Sequence, residues 1–179
     1  MRVIAGELRG RRLKAPHGRA TRPTADRVRE ALFSSLGELA SSRILDLFAG
    51  SGALGIEALS RGASHAVFVD SAASATAVID ENLAALGISA RCEVVRMPAL
   101  RALACTPVRD HLYDLVFLDP PYRQAGSLGH ALSQALPPLL ADQARVVVES
   151  DRREPLELDL PLHSERRYGD TLIKVHVLG

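Results

Sequence analysis

Ile44-Leu45-Asp46-Leu47-Phe48-Ala49-Gly50-Ser51-Gly52-Ala53-Leu54-Gly55 is the stretch that decides the fold. Ile44 to Phe48 reads as a short buried strand, and Ile56-Glu57-Ala58-Leu59 beyond the glycines has a helical pattern. Gly50, Gly52 and Gly55 fit the G-x-G-x-x-G spacing of a strand–turn–helix that lays bare backbone against a ligand. Asp46 narrows the ligand class. A carboxylate four residues ahead of the first glycine repels a pyrophosphate. It welcomes a free ammonium, such as the methionine end of S-adenosyl-L-methionine (SAM). On that reading Phe48, Ala49, Gly50, Ser51, Gly52 and Gly55 line the cofactor loop. The competing role for Asp46 is a helix cap or a buried structural carboxylate.

Moving outward, apolar runs at 43–48, 65–69, 91–95, 113–118 and 144–149 alternate with helical patterns. Such alternation predicts an α/β domain with a parallel sheet covered on both faces. Thr24 is placed to cap a helix running to about Leu39, with Val28, Ala31, Leu32 and Leu36 on one face. A further helix is expected over Ala72 to Leu86. Leu136-Pro137-Pro138 breaks the helix before the fifth strand, and two late strands are expected around a Gly169-Asp170 turn between Glu165 and Gly179.

Two strand ends carry chemistry. Asp70 closes the run from His65 to Val69, where an acid commonly accepts hydrogen bonds from ribose hydroxyls; Ser71 follows it. An N-cap for the next helix is the other role for Asp70, and the two are compatible. Tyr113 to Leu118 runs into Asp119-Pro120-Pro121-Tyr122. Asp119 and the Pro120 carbonyl can each accept a hydrogen bond from an exocyclic amine, and Tyr122 offers a stacking face. The prolines hold the backbone so that the acceptors are preset. The third run leads into Met97, Pro98 and Ala99, where Met97 and Pro98 can only pack on an adenine ring and Ala99 has a backbone N–H to read its edge.

The 179 residues, 47% hydrophobic and 24% charged, predict one soluble domain. No apolar run approaches the roughly 20 residues of a membrane span, and the basic N-terminus lacks an apolar signal core. Cys92 and Cys105 form no C-x-x-C pair, so free thiols in a reducing cytoplasm are expected and no zinc site is. The six histidines are scattered and suggest no base. Charge is uneven: the first thirty residues hold nine basic side chains against three acidic ones, while the whole chain carries only +1. Arg2, Arg9, Arg11, Arg12, Lys14 and Arg19 are therefore candidate phosphate contacts. A solvated basic terminus is the plainer account. Arg2 to Ala15, turning at Glu7-Leu8-Arg9-Gly10, reads as an ordered RNA-facing hairpin.

Taken together, Gly50 to Gly55, Asp119 to Tyr122, Thr21-Arg22-Pro23-Thr24 with Arg27 to Phe33, Tyr168-Gly169-Asp170-Thr171 and the opening Arg2-Val3-Ile4-Ala5-Gly6 resemble the bacterial 16S rRNA guanine-N2 methyltransferases called RsmD. The resemblance spans nearly the whole chain. It implies a Rossmann-like SAM-dependent methyltransferase of seven strands, the last antiparallel, with a small N-terminal β-hairpin. It implies one domain over 1–179, with residues 1–20 as the basic appendage and 21–179 as the catalytic core. It also implies methylation of the N2 amine of a guanine, the family's guanine 966, by direct in-line transfer. Arg22, Pro23 and Thr24 would fold over the cofactor or base pocket. The partner would be 16S rRNA in the small subunit or an assembly intermediate, the protein a cytoplasmic monomer without metal. Met97-Pro98 departs from the polar or acidic residue many SAM enzymes carry there. Other readings are a DNA adenine or cytosine amino-methyltransferase, for which the chain has little room to read DNA; a protein-amide methyltransferase, which would favour Asn at 119; a catalytically silent RNA-binding or assembly module; and an NAD oxidoreductase, which leaves Asp46 and D-P-P-Y unexplained.

Overall fold

Val-, Ile- and Leu-rich runs flanked by polar turns form a sheet whose central parallel strands are buried on both faces. The structure, a computed structural model, describes residues 1–16, 26–121 and 125–178. Its strands are β1 (Arg43–Leu47), β2 (His65–Asp70), β3 (Cys92–Arg96), β4 (Tyr113–Leu118), β5 (Leu140–Asp151), β6 (Leu162–Tyr168) and β7 (Thr171–Val177). The helices are α1 (Asp26–Leu36), α2 (Ala53–Ser60), α3 (Ala73–Leu86), α4 (Ala99–Ala102) and α5 (Ala125–Ala135). The sheet runs β3-β2-β1-β4-β5-β7-β6. β1 to β5 pair in parallel, while β7 is antiparallel to both β5 and β6. Strand order reverses between β1 and β4, and the crevice that opens at such a switch point is where α/β sheets bind ligands.

Period-two alternation sorts the core. Ile44, Ala66, Phe68, Leu115, Phe117 and Val147 face α1, α2 and α3. Leu45, Leu47, Val67, Val69, Val116 and Val148 face α4 and α5. Several boundaries differ from the sequence expectation for local reasons. β1 stops at Leu47, because Phe48 takes a left-handed φ of 65°. α1 ends at Leu36 instead of Leu39, where Gly37 has φ 71°. β5 begins at Leu140 and reaches Asp151; Gln143, at φ 60°, takes up the register shift within it. β6 starts at Leu162. Thr24, the expected cap of α1, lies outside the described residues.

The N-terminal segment turns back on itself, closed by one antiparallel bridge, Arg2 to Arg12, and by backbone bonds such as Val3 N–H to the Arg11 carbonyl at 2.9 Å. It does not stand away from the domain. Val3 and Leu13 are buried in the same core as α2 and α3. The buried Glu57 of α2 accepts from the backbone N–H groups of Ile4 (2.7 Å) and Ala5 (3.0 Å), and Ser60 Oγ accepts from Leu8 N–H at 2.9 Å. A Cβ on Gly6 would fall 1.7 Å from the Ser60 carbonyl oxygen, so only glycine lets the arm approach the end of α2 this closely.

Candidate active site

Leaving β1, the chain bends through Phe48, and Ala49 N–H bonds the Val69 carbonyl at 2.9 Å. Gly50 and Gly52 follow with φ of 59° and 76°, values that strain any side-chain-bearing residue. Two carboxylates pin this turn at its ends. Gly50 N–H donates to Asp70 Oδ2 and Gly55 N–H to Asp46 Oδ2, each at 3.0 Å. Gly55 is required by packing: a Cβ there would sit 2.3 Å from Phe68 Cε1, so α2 could not close on β2. Among the described residues, a Cβ on Gly50 would meet only the Phe48 carbonyl oxygen, at 3.9 Å, so the backbone there is bare.

The capping role foreseen as an alternative for Asp46 is therefore present: it holds an N–H of the first turn of α2. Asp70 does more than close a strand. Its Oδ1 accepts from Ala72 N–H at 2.8 Å while Oδ2 holds Gly50, so it braces both the Gly-rich turn and the lead into α3.

The register aligns further acids. Asp46 lies between Phe68 on β2 and Phe117 on β4, and Phe117 pairs Val147 on β5. Two residues past Phe68, Phe117 and Val147 stand Asp70, Asp119 and Glu149, so alternation puts all four acids on the α1–α3 face of adjoining strand tips. They sense one another. Burial, with the Asp70 charge adding to it, pushes the Asp46 carboxyl up to about 8 although the Gly55 N–H opposes the shift. Burial, then the Glu149 and Asp46 carboxylates, raises Asp119 well above the ordinary carboxylate range. Such a row suits cationic ligands, whose charge would relieve the repulsion. The sequence reading missed Glu149, which is 5% exposed. Its signal was available: it ends the run Val146-Val147-Val148 just as Asp70 and Asp119 end theirs.

Other expected site residues fall as follows. Pro120 is buried and Pro121 exposed beside Asp119; Ser71 is exposed next to Asp70. Phe48 and Met97 are half-buried against the core of the α4 side, Pro98 precedes α4 and Ala99 begins it. Ser51 is buried, its carbonyl accepting from Asn82 Nδ2 at 3.1 Å. Tyr122, Arg19, Arg22, Pro23 and Thr24 lie outside the described residues. Among the basic candidates, Arg2 pairs with Asp26 at 3.4 Å, Arg11 donates to the Ala85 carbonyl at 2.8 Å and Lys14 pairs with Glu81 at 2.8 Å. Arg9 and Arg12 are exposed. A cleft of about 530 Å³ lies beside them, lined by Met1, Arg2, Gly10, Arg12, Leu13 and Asp26.

The strand order with its reversed seventh strand, the Gly-rich turn at the tip of β1 and Asp-Pro-Pro at the tip of β4 define the Rossmann-like SAM-dependent methyltransferase fold. An RNA methyltransferase from Salinibacter ruber, solved with S-adenosyl-L-homocysteine, shares this fold at a TM-score of 0.65 and 15% identity, over 87% of this chain and 92% of its own. Residues 1–177 match the family described as Conserved hypothetical protein 95, and the chain belongs to that family. It is 36% identical to the Ribosomal RNA small subunit methyltransferase D of Escherichia coli K12, over 98% of this chain and 89% of that protein. A solved hypothetical protein of Thermus thermophilus superposes with a TM-score of 0.84 at 30% identity, covering 99% of each chain.

Proposed function

We propose that this chain is an rRNA methyltransferase that moves a methyl group from SAM to the exocyclic N2 amine of a guanine in small-subunit RNA, in the cytoplasm where that RNA is assembled. The observation that carries the reading is Asp119, followed by two prolines, beside Asp46 at the switch point of the sheet. The relatives of like length and the RsmD-type motifs support the rRNA substrate; the D-P-P-Y chemistry supports an amine as the acceptor.

The residues fit the cofactor. Gly50 presents bare backbone, while the Asp46 and Asp70 carboxyls stand on either side of the turn. Asp46 would hold the ammonium, the Gly50–Gly52 loop the methionine backbone, Asp70 and Ser71 the ribose, and Met97, Pro98 and Ala99 the adenine. Bound SAM supplies an electrophilic methyl group on a sulfonium. The guanine leaves its stack at a cost of a few kcal/mol, and stacking on Tyr122 returns roughly 1–3 kcal/mol. Asp119 and the Pro120 carbonyl would accept hydrogen bonds from the two amine N–H groups, drawing them out of the ring plane and localising the nitrogen lone pair. Holding that nitrogen in line at about 3–3.5 Å supplies much of the acceleration. As the N–CH3 bond formed, the S–CH3 bond would break to leave a neutral thioether; Asp119 would stabilise the positive charge passing to the amine, which then loses one N–H proton.

Incubating the protein with labelled SAM and unmodified small subunits, then mapping the labelled base, tests the reading; label on an adenine or a cytosine overturns it. Asp119→Ala should cut turnover by about a hundredfold to a thousandfold or more while leaving SAM affinity nearly unchanged. Full turnover in that variant would remove Asp119 from the chemistry.

A further inference from the structure

Two histidines that lie 46 positions apart in the chain meet at the edge of the sheet opposite the acidic tips. His65 opens β2, Glu93 is the second residue of β3, and His111 stands two residues before β4. His65 Nε2 is 3.0 Å and His111 Nε2 3.3 Å from the same oxygen, Glu93 Oε1. All three side chains are half-buried, and their ligand atoms lie within 4.8 Å of one another.

We propose that His65, Glu93 and His111 bind a divalent transition ion of the Zn²⁺ class that braces the starts of β2, β3 and β4. Zinc at about 2.0–2.2 Å from nitrogen and oxygen ligands sets those ligands about 3.3 Å apart on a tetrahedral face. Two of the three separations, 3.0 and 3.3 Å, are already at or just under that length, and the third is at most 4.8 Å. Two imidazoles and one carboxylate favour Zn²⁺, Co²⁺ or Ni²⁺ over Mg²⁺ or Ca²⁺, with water completing the shell. The thiol of Cys92 takes no part: it donates to the Ile88 carbonyl at 3.3 Å, and alternation turns it to the other face from Glu93.

The surroundings include an opponent. Arg43 Nη1 lies 3.2 Å from His111 Nδ1 and donates to it, a geometry that keeps the His111 proton on Nε2. Loading the ion at Nε2 moves that proton to Nδ1, which then no longer accepts from Arg43, and the exposed guanidinium swings into solvent. Arg43 is anchored by its backbone N–H, 2.7 Å from Asp114 Oδ2, so its side chain can move without unpinning β1.

Full-length protein stripped with chelator and titrated with ZnCl₂ should unfold roughly 5–10 °C higher at a hundredfold excess over the dissociation constant, whereas MgCl₂ should not shift the midpoint. CoCl₂ should give visible bands of a four-coordinate ion without thiolate charge transfer. Both responses should vanish in the His65→Ala/His111→Ala double variant. Glu93→Gln should weaken binding at least tenfold, and Arg43→Gln should tighten it. An unshifted midpoint with no cobalt bands, or an undiminished response in the double variant, overturns the site. Should the double variant fail to fold by circular dichroism, the two single variants decide: equal affinity in Glu93→Gln, Arg43→Gln and the parent chain overturns it as well.

Discussion

At the scale of single residues, the acids at the strand tips carry opposite consequences for the free and the loaded protein. Asp46 titrates near 4 in an unfolded chain and at about 8 in the fold. A carboxyl raised in this way favours the folded state fully below the unfolded value, and that contribution is lost as pH rises from about 4 through about 8. Stability of the cofactor-free protein should therefore fall across that window, with a flatter slope in Asp46→Asn. An ammonium beside Asp46 favours its ionised form, so SAM binding at pH 7 should release about one proton per site. Calorimetry in buffers of different ionisation enthalpy measures this, and Asp46→Asn should abolish the dependence. Glu149 acts on its neighbour: its charge is the largest electrostatic contribution raising Asp119, after burial. Glu149→Gln should lower the Asp119 pKa and move the acid limb of the kcat profile to lower pH. An unmoved limb would reduce Glu149 to a packing residue.

At the scale of elements, legibility followed from whether the signal was local. The β1–turn–α2 unit and the Asp-Pro-Pro tip could be read because spacing along the chain encodes them. Asp70 could be read because it ends an apolar run beside a predicted turn. The docking of the N-terminal arm could not, because Glu57 and Ser60 look like ordinary helix positions and declare themselves only when Ile4, Ala5 and Leu8 arrive from more than fifty residues away. The same holds for His65, Glu93 and His111, which three separate elements assemble. Gly6 tests the arm. Gly6→Ala places a methyl against backbone and on a φ of 83°, so the arm must lift from α2. A loss of about 1–3 kcal/mol is expected in denaturant unfolding. Unchanged stability would show that the arm contributes little to holding the domain.

At the scale of the whole molecule, basic charge is concentrated in the N-terminal arm. Arg2, Arg11 and Lys14 are each tied to protein partners, while Arg9 and Arg12 are exposed beside the cleft at the arm. Neutralising Arg9 and Arg12 should weaken RNA binding and lower the slope of log affinity against log salt by about 0.7–0.9 per lost phosphate contact. An unaltered slope would make the arm a solvated surface. Asn82 gives this arrangement a wider meaning. Its one amide accepts from the Lys14 N–H and donates to the carbonyls of Lys14 and Ser51, so one side chain on α3 links the basic arm to the glycine turn, beside the separate anchors each has elsewhere. A guest that settles at either place meets a host already stiffened by the other, and thermodynamic reciprocity then requires the favour to be returned in equal measure.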